Sequence, residues 1–566
     1  MSGIKKRLSA AGYIRRVVRK LSVDIGPRAP GSPAERKAAL WIKSEFETMG
    51  FPAEIHQFES PSCTSTGSKL TVDGKTFHST PLQFSPAGNV AGEFVFLGDE
   101  EMAATSTFKP GAVGMLMPVS GLFDRQCLVR ELAAKGLGGL VVITPMTDTV
   151  NGKIVRDPTQ KLMPLVTVNH DVAESLMKYA GRTVELSVTA TPSVHDGISQ
   201  NVVASIRGTG PRWMAVCAHY DTASASPGAL DNACGVAALL AVAKRLQGTN
   251  PKATIHFVAS GSEEYGGLDM TGRGMLSFFN QMRGDLENCV CLIDIDDIGH
   301  KIGTPICYAA GPKPFRETAA SVPATLRRLF KERWKFEGGD NGAAHQFGIP
   351  YVWFYDHSLK TYYHTPKDTI RHVDFEKAAV FVDDIETMAR HLADLGPFSP
   401  YMRTESVTVR PARFEDIPSI NDITEKAFEP VSLARMRQDF FGERLGGKNW
   451  SEYKCRDLEE FCRQRIYQVI VAESAGRVVG YATWLFDVEQ GIAEIGNNAV
   501  HPEFQGKGIG KALQNEIERR MREEGFTRFT VNTLGVDIAA QKLYEKLGYT
   551  RYAESIYYLR RALPAN

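Results

Sequence analysis

Side chains able to bind metal recur where apolar runs end. The run Trp213–Thr222 closes on His219-x-Asp221. Asp231 follows in GALDNACG, at the opening of an apolar helical stretch. The apolar run to Ser260 leads into Gly261-Ser-Glu263-Glu264, and a third run ends in Asp294-Ile-Asp296-Asp297. His364 and Asp368 lie in a loop-like stretch, Tyr362–Thr369. Two histidines, two aspartates and one glutamate are what two zinc ions can share when one carboxylate bridges them. A further glutamate is then left to accept a proton.

Each residue alone says little. At a helix start, Asp231 serves equally well as an N-cap. Asp221 is close enough in sequence to orient the His219 imidazole through its second nitrogen. Cys289-Val-Cys291 sits in a strand-like apolar run and reads as core. A second chemistry is spelled by glycine: Gln505-Gly-Lys-Gly508-Ile-Gly510 lies between the strand-like run Ile492–Val500 and a helix. Such a turn exposes backbone N–H groups and forms an anion cradle suited to a pyrophosphate. No Gly-Lys-Ser/Thr follows, so it is not a P-loop.

These residues need elements to hold them. Val202–Ile206, Trp213–Cys217, Thr254–Ser260 and Val290–Ile295 read as buried strands. Gly235–Leu246 and Pro323–Lys331 read as helices among them. The alternation predicts an α/β fold with a mixed, largely parallel sheet, whose active groups gather at the carboxyl ends of the strands. Ile4, Leu8, Ile14, Val18 and Leu21 fall at helical spacing, so the basic N-terminus reads as a packed first helix. Ser32 caps a second helix from Pro33, with Glu35 at the capping-box offset. Residues 61–195 read as a β-rich insert built around the strand Ala112–Met117, the helix Asp124–Lys135 and the strand Gly139–Thr144. Residues 1–60 with 196–395 then form one discontinuous domain, 396–404 a Pro/Gly-punctuated linker, and 405–566 a further α/β domain.

The ordered motifs AHYD, GALDNACG, SEEYGG, IDDIG and YHTPKDT resemble those of the di-zinc aminopeptidases of metallopeptidase family twenty-eight. IGPRAPGS resembles that family's N-terminal segment, and the insert resembles a protease-associated domain. The resemblance implies that Asp231 bridges two Zn²⁺, that His219 and Asp296 complete one site, and that Glu264 and His364 complete the other. It makes Glu263 the general base and leaves Asp294 and Asp297 outside the ligand set. Asn341 stands where the family usually has histidine.

NNAVHPEFQGKGIGKAL, with the strand Phe526–Asn532 and AAQKLYEKLGY after it, resembles the GNAT N-acetyltransferase superfamily. That implies acetyl-CoA held by Gln505, Gly506, Lys507, Gly508, Ile509 and Gly510, with backbone contacts from Ala499 and Val500. Tyr544 matches the thiolate-protonating position, and Glu494 on the preceding strand is the candidate base.

Composition bounds the rest. The 566 residues carry 66 basic and 65 acidic side chains, a net charge of +1. So even a balance provides no field for nucleic acid or an anionic membrane. No apolar run approaches the roughly 18 residues of a spanning helix. The N-terminus lacks the apolar stretch of a secretory signal. Nine cysteines dispersed through the chain suit reduced thiols in a cytoplasm. The expectation is a bifunctional enzyme acting on peptides and on an amine acetyl acceptor. The alternatives are a glutaminyl-peptide cyclase-like zinc enzyme and a non-catalytic scaffold. The filled ligand set favours neither of them.

Overall fold

The computed structural model describes residues 2–82, 84–118, 126–144, 163–265, 271–333, 338–359, 362–395, 402–404 and 407–560. Its centre is the strand Trp213–His219, buried at every residue. Thr254–Ser260 and Cys289–Ile295 lie parallel on either side of it, and Tyr351–His357 lies parallel beyond Cys289–Ile295. Antiparallel strands flank this block: Thr183–Ile206 on one side and Thr304–Ala310 on the other. The period of two is visible in the packing. Met214, Val216 and Ala218 enter a core with the helices Gly235–Leu246 and Phe375–Ala393. Trp213, Ala215 and Cys217 face Phe278, Phe279 and Phe347. A sheet covered on both faces requires such a continuous apolar strand.

The first helix, Ser2–Arg19, buries Ile14, Val17 and Val18 in the same core. The Ile4 and Leu8 side chains lie outside the described set. Ser32 caps Pro33–Thr48 by accepting from Glu35 N–H at 3.1 Å. The other half of the expected capping box differs. The Glu35 carboxylate accepts from Gly31 N–H at 2.7 Å and from the Ser199 hydroxyl, so it pins the helix start to the neighbouring strand.

Ala53–Val72 and Thr183–Ile206 pair antiparallel along most of their lengths, with register shifts at Ser60/Ser62 and Ser65/Gly67. They run on into a second core where Gly88–Gly98, Val113–Leu116, Gly139–Ile143 and Leu165–Val168 lie side by side in parallel. The helices Gln126–Ala134 and His170–Met177 belong to this unit. Gly138 has no room for a side chain: a Cβ there would lie 2.7 Å from the Gly111 carbonyl oxygen.

One expected helix is absent. Pro323–Lys331 is instead an irregular stretch ending in the strand Leu329–Glu332. Asp384 explains this. Its carboxylate takes the N–H groups of Thr325 and Leu326 and pairs with Arg328 at 2.7 Å, so these donors are held by a distant helix.

The second sheet runs in the order Met402–Arg403, Thr408–Pro411, Val469–Ser474, Arg477–Asp487, Ile492–Val500, Phe529–Val531, and only the last pair is parallel. Met402–Arg403, assigned to the linker from sequence, form the edge of this sheet, and 396–401 lie outside the described residues. The two bodies meet through polar contacts. Arg316 grips Glu524 at 2.7 Å, Tyr467 donates to the Ile349 carbonyl at 2.8 Å, and His345 lies 3.2 Å from the Arg463 carbonyl.

Arg28, fully buried, ties the chain's start to the end of the central strand. Its guanidinium donates to the carbonyls of Tyr220, Leu21, Gly26, Pro227 and Gly228 at 2.6–3.1 Å. Burial lowers its pKa to about 10, with Asp221 and Asp368 opposing the shift. Arg28→Met leaves those carbonyls buried and unpaired. It should destabilise the first domain by about 3 kcal/mol or more. Thermal denaturation of the full chain checks this, and an unchanged transition would contradict the role.

Candidate metal centre and acyl-transfer cleft

The three parallel strands deliver their loops to one place. His219 ends Trp213–His219 and pairs in register with Ser260, so Glu263 and Glu264 emerge beside it. Asp296 follows Cys289–Ile295 directly. Asp231 comes from Ala229–Cys234, with φ −112° and ψ 89° inside that turn and a cis peptide to Asn232. His364 lies in the loop after Tyr351–His357 with φ 56°.

All five residues converge. His219 Nε2 lies 3.2 Å from Asp231 Oδ1 and 3.2 Å from Asp296 Oδ1. His364 Nε2 lies 3.2 Å from Asp231 Oδ2 and 3.1 Å from Glu264 Oε2. Asp231 therefore gives one oxygen to each half. Asp231 Oδ2 and His364 Nε2 are buried and make no hydrogen bond, although they are close. In each half the three candidate donor atoms lie within 4.8 Å of one another, which fits a cation between them. Asp231 is not an N-cap: the helix after it begins at Gly235, and its carboxylate faces the two imidazoles.

Supporting groups hold the ligand loops. Asp368 accepts from Leu230 N–H at 2.9 Å and Asp231 N–H at 3.1 Å. Asp221, expected to orient His219, stands 3.6 Å from its Nδ1. Its hydrogen bonds come instead from Glu263 N–H at 3.1 Å and Glu264 N–H at 3.0 Å. Asn232 donates to the Ile295 carbonyl at 2.8 Å and so ties two ligand segments together. Asp294 accepts from Cys217 and Asn341, and Asp297 pairs with His300 at 2.6 Å. Asn341 thus faces Asp294. Glu263 is half-buried, and a Cβ on Gly339 would sit 3.5 Å from its Oε1.

Charge follows geometry. Burial raises Asp296 to about 7 against the pull of His219. Burial opposes charge on His364, yet Glu264 and Asp231 outweigh it and lift the group to about 9. For His219, burial is likewise overcome by Asp221, Asp231 and Asp296. Without a cation, His219 and His364 hold protons at neutral pH.

The second domain has a cleft of its own, a cavity of about 840 Å³ lined by Glu494, Asn497, Asn498 and Tyr544 among others. Ile492–Val500 pairs with Phe529–Val531 only as far as Ile495↔Val531. Beyond that point Ala499 and Val500 keep only their partners Tyr481 and Gly480. Gly506 and Gly508 have φ of 76° and 80°, and a Cβ on either would meet nothing within 4 Å. Gly508 precedes the helix Ile509–Glu523, so open space faces a helix N-terminus. Gln505 donates to the Val500 carbonyl at 3.1 Å, Lys507 is exposed, and the Ile509 side chain is core. Tyr544 is buried, its hydroxyl accepting from Asn498 Nδ2 at 3.0 Å, and burial raises its pKa. Glu494 accepts from Asn532 at 2.9 Å.

Sequence reasoning named all five converging residues but gave no role to Arg28 or Asp368. Arg28 and Asp368 stood inside quoted motifs, and that was their only signal.

Comparison with known proteins follows the same division. Residues 201–388 match the model of peptidase family M28, and residues 431–549 match that of the acetyltransferase (GNAT) family. Aminopeptidase YwaD of Bacillus subtilis is 23% identical over 381 residues, 64% of this chain and 80% of its own length. The probable lipoprotein aminopeptidase LpqL of Mycobacterium tuberculosis is 27% identical over 258 residues, 43% of this chain; the match spans 49% of LpqL. The solved structure of BSAP, a zinc aminopeptidase from Bacillus subtilis, shares the fold with a TM-score of 0.55 at 19% identity. That likeness covers 67% of this chain and 94% of BSAP. Residues 201–388 are thus a peptidase family M28 domain, and residues 431–549 belong to the acetyltransferase (GNAT) family.

Proposed function

We propose that the first domain is a two-zinc aminopeptidase and that the second transfers acetyl from acetyl-CoA to an amine. The observation that carries the first reading is the split of Asp231, one oxygen toward His219 and Asp296, the other toward His364 and Glu264. In this reading, His219, Asp296 and Asp231 hold one ion, and Glu264, His364 and Asp231 hold the other. When bound, a zinc pair supplies Lewis acidity and lowers the pKa of water toward ~7.

The chain's own residues do the remainder. Glu263 takes the proton of the attacking water and passes it to the leaving amine. Its backbone is fixed by Asp221, so the carboxylate is presented from a held turn. The carboxylate-rich cluster favours a substrate's free α-ammonium, which selects the peptide N-terminus. In the second domain, Gly506–Gly510 cradle the pyrophosphate and Ala499 and Val500 meet the pantetheine. Glu494 removes an amine proton and Tyr544 protonates the thiolate.

The domains in this reading are 1–60 with 196–395, the insert 61–195, and a second domain that opens with the edge strand Met402–Arg403. Among the described residues no helix is long and apolar enough to cross a membrane. Eight described cysteines are free thiols, which supports a cytoplasmic setting.

Glu263→Gln should keep its metal and lose turnover by about 100-fold or more, in line with loss of a general base. Near-normal hydrolysis by the metal-replete variant would reject the assignment. Zinc uptake should expel protons, because His364 is protonated below about 9 in the metal-free cluster. Apparent zinc affinity therefore rises as pH climbs from 7 toward 9. Calorimetry in buffers of different ionisation enthalpy measures the release, and zero release at pH 7 would contradict it. Gly508→Glu combined with Gly510→Glu should abolish acetyl-CoA binding in equilibrium dialysis and leave peptide hydrolysis intact. Undiminished binding would defeat the cradle.

A further inference from the structure

The cavity beside Tyr544 contains a cation, Lys454, that forms no ion pair among the described residues. Lys454, on the helix Trp450–Gln464, sends its ammonium to Asn497 Oδ1 at 2.8 Å and over the face of Phe428 at 4.1 Å. Among the described residues no carboxylate pairs with it. Its polar contacts are an amide and a ring; burial lowers its pKa, and Asp457, which lines the same cavity without pairing with it, opposes that shift. Glu494 lines the same cavity on the strand that carries Asn497.

The spacing is short. Asn497, which holds Lys454, is the direct neighbour of Asn498, which holds the Tyr544 hydroxyl. A register shift opposite them, between Ala482 and Trp484, places an extra residue on this strand and lets both asparagines line the cavity. Lys454, Glu494 and Tyr544 line the same cavity, where one small molecule carrying both a carboxylate and an amine can meet all three. Phe428, Leu433 and Trp450 supply an apolar wall.

We infer that the acetyl acceptor is a free α-amino acid with an apolar side chain, its carboxylate paired with Lys454 and its amine facing Glu494. This rests on the acetyltransferase reading of the second domain. The acceptor arrives as an ammonium and loses one proton to Glu494. The neutral nitrogen adds to the thioester carbonyl, so that a C–N bond forms and the C–S bond breaks. Tyr544 gives its proton to the departing thiolate and recovers one from the new amide nitrogen. Glu494 returns its proton to water. The reaction class that supplies such an acceptor is hydrolysis at a peptide N-terminus, the activity proposed for the first domain.

Thiol release from acetyl-CoA by the full chain tests this with leucine, leucine amide and leucyl-glycine as acceptors. Leucine should be preferred in kcat/KM by about tenfold or more, the size of a buried charge-assisted contact. Lys454→Met should bring the leucine-to-leucine-amide ratio near one, and Lys454→Arg should keep it well above one. Equal use of the three acceptors by the unmodified chain would overturn the inference. So would a leucine preference that survives Lys454→Met. If no acceptor releases thiol and acetyl-CoA is not retained in dialysis, the acetyltransferase reading itself fails, and this inference with it.

Discussion

Three carboxylates and two imidazoles crowd into one buried cluster, and their mutual electrostatics govern the first domain. Asp231, Glu264 and Asp296 would carry three negative charges within a few ångströms of each other. Burying such a set without compensation is costly. Protons satisfy it in part, which is why His219 and His364 hold theirs so firmly. In the two-zinc reading, divalent cations would satisfy it better, because each would also take up lone pairs that no hydrogen bond uses. The fold serves this arrangement by bringing three parallel strand ends to one edge.

Holding the ligands apart and aimed inward falls to a surrounding shell of buried polar groups. Arg28 binds the carbonyls on either side of the turn between His219 and Asp231. Asp221 fixes the glutamate pair through the backbone, and Asp368 does the same for Asp231. Each of these charges faces backbone dipoles, so the ligand side chains stay available. The second domain follows a different logic. Its cleft opens where two strands stop pairing, and glycine clears the entrance to a helix N-terminus. Polar contacts between Arg316 and Glu524 and between Tyr467 and Ile349 keep the two bodies in register.

Much of this was legible in the residues. Strand ends followed by Asp, Glu or His are local patterns that bring out His219, Glu264 and Asp296, while the choice among neighbouring carboxylates and the parts given to Asp231 and His364 came from the motif resemblance. The alternation of apolar runs and helices also survives into the sheet, because a strand buried on both faces needs an unbroken apolar run. What could not be read depends on distant partners. Asp384 strips Pro323–Lys331 of its helical donors from a helix some sixty residues further along the chain. Glu35 bonds Ser199 on the neighbouring strand rather than closing its capping box. Asp221 sits two residues from His219, yet serves Glu263 and Glu264. No motif marks Lys454, and only the packing of Trp450–Gln464 on the second sheet brings it to the cavity.

The central claim is that Asp231 is shared between two metal ions. Anomalous scattering at the zinc absorption edge from zinc-loaded crystals of the full chain tests it most directly. The account predicts two peaks about 3.5–4 Å apart, one on each oxygen of Asp231. A single peak, or two peaks that do not both contact Asp231, would contradict it.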